Sequence, residues 1–98
     1  VSHPVYFLPE AAEELAEAQA WYDARSAGLG DRFFDAIDAL SWRIGEAPHR
    51  FPHVHGTIRR ALLGRFPYAL FFRDEDDGVY VIACLHTSRH PERWRRRT

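Results

Sequence analysis

Apolar residues recur at helical spacing in the first half of the chain and at strand spacing in the second. Ala11, Leu15, Ala18 and Tyr22 are separated by 4, 3 and 4 positions, and so are Phe33, Ile37, Leu40 and Ile44. Each set draws one apolar face down a helix. The first helix is expected from Pro9, whose missing N–H costs nothing in a first turn, to about Arg25. Glu10, Glu13, Glu14 and Glu17 sit toward its positive N-terminal end. Ser26-Ala27-Gly28-Leu29-Gly30 breaks the pattern, and Asp31 is placed to cap or begin a second helix. That helix runs to about Glu46, before Pro48. Trp42 lies off its apolar stripe, so it packs elsewhere or is exposed. The short break predicts an antiparallel helical hairpin with its acids mostly on the outside.

The strands read differently. HPVYFL (His3 to Leu8) predicts a short first strand. From Arg50 the period changes to two: a weak strand over Arg50 to His55, then one over Thr57 to Leu63 with Arg59 and Arg60 on opposite faces. A third covers Arg65 to Arg73, with Pro67 near its start or at a bulge because it has no N–H for a ladder. Tyr68, Leu70 and Phe72 face one way; Ala69, Phe71 and Arg73 face the other. Asp74-Glu75-Asp76-Asp77-Gly78 is a hairpin loop, its Asp-Gly pair favouring a primed turn. VYVIACLH (Val79 to His86) is nearly continuous in apolar character and therefore central. The expected fold class is α+β: an N-terminal strand and a two-helix antiparallel hairpin packed on one face of a mainly antiparallel sheet, in one domain over 1–98.

Composition sharpens this picture in two ways. An apolar fraction of 46% with fourteen aromatics supplies a core, and no apolar run nears the roughly 20 residues of a membrane span. No secretory leader is visible, so a soluble cytoplasmic protein is expected. Cys84, the single cysteine, sits among valine and isoleucine and reads as buried and inert. The net charge of −1 hides an asymmetry: residues 1–49 carry nine acids against three arginines, residues 50–98 ten arginines against five acids. Lysine is absent. Guanidinium forks match phosphates or an acidic partner, whereas arginine-rich codon usage explains only the missing lysines.

Three stretches, AEAQAWYDARSAGLGDRFFDAI, IRRALLGRFPYALFFR and HTSRHPERWRRR, together resemble the RelE/ParE superfamily of toxins from type II toxin–antitoxin modules. The order WY…GLG…F, then RR…RFPY, then H…R-x-P-x-x-W is similar to the ParE-like, plasmid stabilisation branch. The resemblance implies a small toxin neutralised by a cognate antitoxin and touching DNA only through that complex. It also implies a choice of target. RelE-like members cleave mRNA on the ribosome with a cluster of lysines and arginines and a late tyrosine or histidine; ParE-like members poison DNA gyrase without enzymatic chemistry. Here Ala69 stands where RelE-like toxins tend to place an arginine. The late aromatic is Trp94, which cannot do general acid–base work. Gyrase inhibition is the leading expectation. A ribosome-dependent mRNA endonuclease, or a degenerate member that only binds antitoxin, are the alternatives.

Under the endonuclease reading the candidates are Arg59, Arg60, Arg65, His86 and Arg89, with His86 as base and Arg89 as phosphate clamp. The alternative for His86 and Arg89 is to fix the C-terminal segment through hydrogen bonds. Arg60 and Arg65 are equally suited to pairing with the hairpin acids. As target-binding residues the candidates are Arg59, Arg60, Arg65, Arg89, Trp94 and Arg95, Trp94 being either a packed anchor or an exposed aromatic. Trp21, Tyr22 and Phe34 are candidates for the antitoxin contact, packing within the hairpin being the alternative for the first two. His49, His53 and His55 form HxxxHxH, but no cysteine or carboxylate completes a set, so neither metal nor cofactor is expected.

Overall fold

The computed structural model describes residues 2–89 and 93–97. Five strands and two helices follow the order β1 (Val5–Phe7), α1 (Pro9–Arg25), α2 (Leu29–Glu46), β2 (His53–His55), β3 (Ile58–Leu62), β4 (Tyr68–Glu75) and β5 (Gly78–His86). Short 3-10 turns cover Pro48–Arg50 and Arg93–Arg97. The sheet order is β1-β5-β4-β3-β2. The last four strands form an antiparallel meander, while β1 lies parallel to β5 on its far side. An α+β fold with the hairpin on one face is what the periodicity predicts.

Both helices bury the expected stripes. Phe33, Ile37, Leu40 and Ile44 from α2 and Ala11 and Ala18 from α1 form one core with Leu70, Phe72, Val79, Val81 and Cys84. Burying side chains such as Phe72 stabilises by about 2–3 kcal/mol each. Ile58, Ala69, Phe71, Ile82, Ala83 and Leu85 form a second apolar layer on the sheet's other face, covered by Trp94. β5 serves both layers, which explains its continuous apolar run; it is not central along its length, since β1 flanks it only over Val79 to Val81. The switch between faces comes from a bulge: the register steps from Phe71↔Ala83 to Phe72↔Val81, leaving Ile82 as the extra residue. Before it the odd positions Val79 and Val81 face the helices; after it the even position Cys84 does.

Several boundaries differ from expectation, each for a physical reason. Asp31 does not cap α2. The helix starts earlier, at Leu29, with Gly28 at its N-cap in the left-handed region (φ 86°). The orphan N–H groups of Gly28 and Gly30 donate instead to Asp23 Oδ1 at 3.0 and 3.3 Å, so α1 caps α2. Arg50 ends a 3-10 turn, and the strand after it covers only three residues, since Pro48 and Pro52 interrupt any ladder. β4 begins at Tyr68, not Arg65, and runs on to Glu75, leaving Asp76-Asp77 as the turn. Leu63 N–H donates to Tyr68 C=O and Tyr68 N–H to Phe66 C=O, which folds Arg65, Phe66 and Pro67 into a loop. The first strand keeps only Val5–Phe7 of the expected His3 to Leu8. Trp42 is 66% exposed on the outer side of α2.

Candidate functional site

A cleft of 240 Å³ opens between α1 and the last residues of β5. It exists because β1 is short. β1 pairs with β5 only from Val79 to Val81, so the β5 edge beyond that point has no strand beside it. Two side chains take over part of the missing strand's role. Glu14 Oε1 accepts the Cys84 N–H at 3.0 Å, and Arg97 Nη1 donates to the Ile82 C=O at 3.0 Å. Glu14 and Arg97 also bind each other through two bonds, of 2.9 and 2.8 Å. Arg97 Nε reaches Glu10 at 3.1 Å. Their side chains are only 12% and 13% exposed, so one carboxylate and one guanidinium close the edge like a fragment of backbone. The hydrogen bond that Arg97 donates to Glu14 raises its pKa above the ordinary value.

From the sequence Glu14 is expected among the outer acids of α1, although a signal against that is present. Glu14 falls between Ala11 and Ala18 on the apolar stripe of α1, where a solvated acid does not belong. Glu10, Glu13 and Glu17 are exposed, as expected of the helix's outer acids.

The remaining cleft is lined by Glu17, Trp21, Tyr68, His86, Arg89 and Arg93, together with Ala18 and the edge of β5. Of the endonuclease candidates, this brings together His86 and Arg89. Their neighbour Tyr68 was read only as a strand residue. The Tyr68 and His86 rings meet edge-on at 5.3 Å. The Ser88 N–H donates to His86 Nδ1 at 3.2 Å, which leaves Nε2 to carry the proton of the neutral ring. Burial, and then the nearby Arg89 charge, lower the His86 pKa. Burial raises that of Tyr68, outweighing Arg89, which lowers it. Burial pushes the Cys84 thiol up to about 12, so the expected inert, buried cysteine is what the fold holds.

The other candidates lie elsewhere. Arg59 and Arg60 do face opposite sides of β3, but Arg59 is committed to the fold: it donates to Phe51 C=O at 2.7 Å, His49 C=O at 3.4 Å and Asp74 at 3.3 Å. It straps the 3-10 turn and the acidic hairpin to the edge of the sheet. The hairpin acids are therefore met by Arg59 and Arg73, not by Arg60 or Arg65. Arg60 opposes Phe71 and shares the face of Ile58, so the sheet stands between it and His86. Arg65 is exposed in the loop before β4.

Trp94 is the packed anchor, not the exposed aromatic. It is 5% exposed and stacks on Phe71 with ring centroids 4.8 Å apart. Arg95 is exposed beside it, its guanidinium 5.5 Å from the indole centroid. Tyr22 packs against Phe33, Phe66 and Tyr68, whereas Trp21 and Phe34 are 41% and 44% exposed. Trp21 lies under Arg25 at 4.3 Å and Arg89 at 5.7 Å. The histidines His49, His53 and His55 are all exposed, and a register shift separates the latter two. Among the described residues no group of three or more His, Cys, Asp or Glu could hold a metal ion, and no helix is long and apolar enough to cross a membrane.

Comparison with known proteins agrees with the order of these elements. A solved structure titled "Chromosomal ParDE TA system from P. aeruginosa" superposes with a TM-score of 0.72, covering 87% of this chain and 96% of that one; at 13% identity the likeness is one of fold. Toxin ParE2 of Mycobacterium tuberculosis is 28% identical over 80 residues, in both strain CDC 1551 / Oshkosh and strain H37Rv. That alignment takes in 81% of this chain and 76% of the relative. The family model for the ParE toxin of the type II toxin–antitoxin system parDE matches residues 5–91, from β1 through the meander and past Arg89. Sheet, hairpin and the cleft's lining apart from Arg93 fall inside that match, and the chain therefore belongs to the ParE toxin family of type II toxin–antitoxin systems.

Proposed function

We propose that this toxin acts as a non-enzymatic inhibitor of DNA gyrase in the cytoplasm and is neutralised by a cognate antitoxin. The carrying observation is the dispersal of the endonuclease candidates. Cleaving RNA by attack of a 2′-hydroxyl needs a base and a charge-stabilising clamp around one phosphate, within hydrogen-bond reach of each other's targets. Among the described residues only His86 and Arg89 line one cleft together. Arg59 is spent on two backbone carbonyls and Asp74. Arg60 projects from the opposite face and Arg65 from a loop. Such a scatter suits binding to a large partner better than chemistry at one phosphate. Arg60, Arg65 and Arg95 supply the exposed positive charge for that contact, with Trp94 beneath holding the C-terminal segment in place.

The test is plasmid supercoiling by purified gyrase as antitoxin-free protein is titrated in, with cleaved linear plasmid scored on the same gel. Loss of supercoiling or accumulation of linear plasmid is expected, in wild type and in His86→Gln alike. Failure to affect gyrase, together with mRNA cleavage on translating ribosomes that His86→Gln abolishes, would overturn the proposal.

A further inference from the structure

The cleft beside β5 contains more hydrogen-bond donors than the protein uses. Ser88 occupies Nδ1 of His86, so the neutral ring offers its Nε2–H. Arg89 rests over Trp21 and makes no ion pair among the described residues. The Tyr68 hydroxyl has no hydrogen-bond partner among them either. All three side chains line one cavity. Three unclaimed donors around one space, one of them a guanidinium, suit a single anionic group.

The surroundings limit what carries that anion. The α1 wall of the cleft presents Glu17, with Glu13 one turn away and exposed; Arg93 and Arg96 border the same hollow, yet neither glutamate has an ion pair among the described residues. A polynucleotide bears a phosphate at every residue, so a strand threaded from the donors along α1 would meet these carboxylates. A peptide can instead set one carboxylate among the donors and place positive side chains against the glutamates. An extended peptide also puts alternate side chains on one side, and the unpaired end of β5 leaves room for it.

We infer that this cleft is the docking site for an extended segment of the antitoxin, which places one aspartate or glutamate carboxylate among Tyr68, His86 and Arg89 and basic side chains against Glu13 and Glu17. The inference rests on the family assignment, which supplies an antitoxin, and not on gyrase being the target. Such a segment caps the cleft where His86 and Arg89 converge, and it recognises the toxin by a charge pattern that nucleic acid lacks.

The experiment is an NMR titration of the toxin, following the His86 ring and the amides of the cleft. The probe is a blocked heptapeptide, Val-Arg-Val-Glu-Val-Arg-Val, which presents Arg, Glu and Arg on one side. Its controls are the same peptide with glutamine at the centre and a uridine hexanucleotide. The glutamate peptide should saturate the His86 shift and bind about tenfold more tightly than the glutamine peptide, as one charge-assisted contact implies. That discrimination should vanish in Arg89→Gln, an exposed position whose change leaves the fold intact, and shrink in Tyr68→Phe. Equal binding of the two peptides, no saturable shift, or saturation of His86 by the uridine hexanucleotide would each overturn the inference. A negative gyrase result leaves it standing, and its own failure leaves gyrase inhibition standing.

Discussion

At the residue scale, Glu14 carries more of the structure than its place on an acidic helix suggests. It receives the Cys84 N–H and both ends of the Arg97 fork. Glu14→Gln keeps the shape but removes the charge, leaving a mostly buried guanidinium facing a neutral amide. Removing one partner of such a pair costs about 3 kcal/mol, measured as a lowered urea midpoint at unchanged slope. His86 gives a pH dependence of defined sign. Its folded pKa lies below the ordinary 6.5. In the window below 6.5 and down to that folded value the unfolded chain binds more protons, so stability falls as the pH falls through it. Urea unfolding at pH 7 and pH 5 should show a drop in wild type that is smaller in His86→Gln. The shift has burial and the Arg89 charge as its causes, so Arg89→Gln should shrink the drop as well.

At the element scale, the helical hairpin depends on close approach as much as on its apolar stripes. A Cβ at Gly30 would lie 2.6 Å from the Gln19 carbonyl oxygen and 2.9 Å from Asp23 Cβ, both parts of α1 that cannot move without tilting the helix. Gly30→Ala should therefore destabilise by about 1–3 kcal/mol, although alanine is the better helix former, and calorimetry would register it as a lower Tm. The apolar spacings predicted both helices because a 3.6-residue period survives any tertiary context. The capping residue was not legible in the same way. Asp31 stands where a cap is expected, but Asp23, one helix back, reaches the N–H groups of Gly28 and Gly30. Strand ends were misjudged where proline and loop hydrogen bonds compete with the ladder, as at Arg50 and Arg65.

On the scale of the whole molecule, the C-terminal turn links the two faces of the sheet. Trp94 seals the layer opposite the helices, while Arg97 grips α1 around the β5 edge. These are two anchors on one short segment, so loosening one should loosen the other. With Trp21 and Trp42 replaced by phenylalanine, Trp94 fluorescence should resist acrylamide quenching in the otherwise native chain. The added change Arg97→Ala should raise the quenching constant several-fold, toward that of an exposed indole. Unchanged quenching would mean that Trp94 stays docked without Arg97. The opposed charges of the chain's halves also meet here, because the arginine-rich end folds back onto the acidic helix.

What the sequence by itself determined is everything written in short-range periodicity. The two helices, the burial of the apolar run from Val79 to Leu85, the buried cysteine and the choice of fold class follow from spacings of two, three and four residues. The family resemblance rests on motifs of similarly short reach. Only the tertiary structure decided which charges meet. Arg59 is separated from Asp74 by fifteen positions and Glu14 from Arg97 by eighty-three. Such pairings carry no local pattern, because a charged side chain has no period to reveal its partner. The cleft depends on the same kind of information: β1 ends five residues before β5 does, and the difference in length is visible only once the strands are side by side.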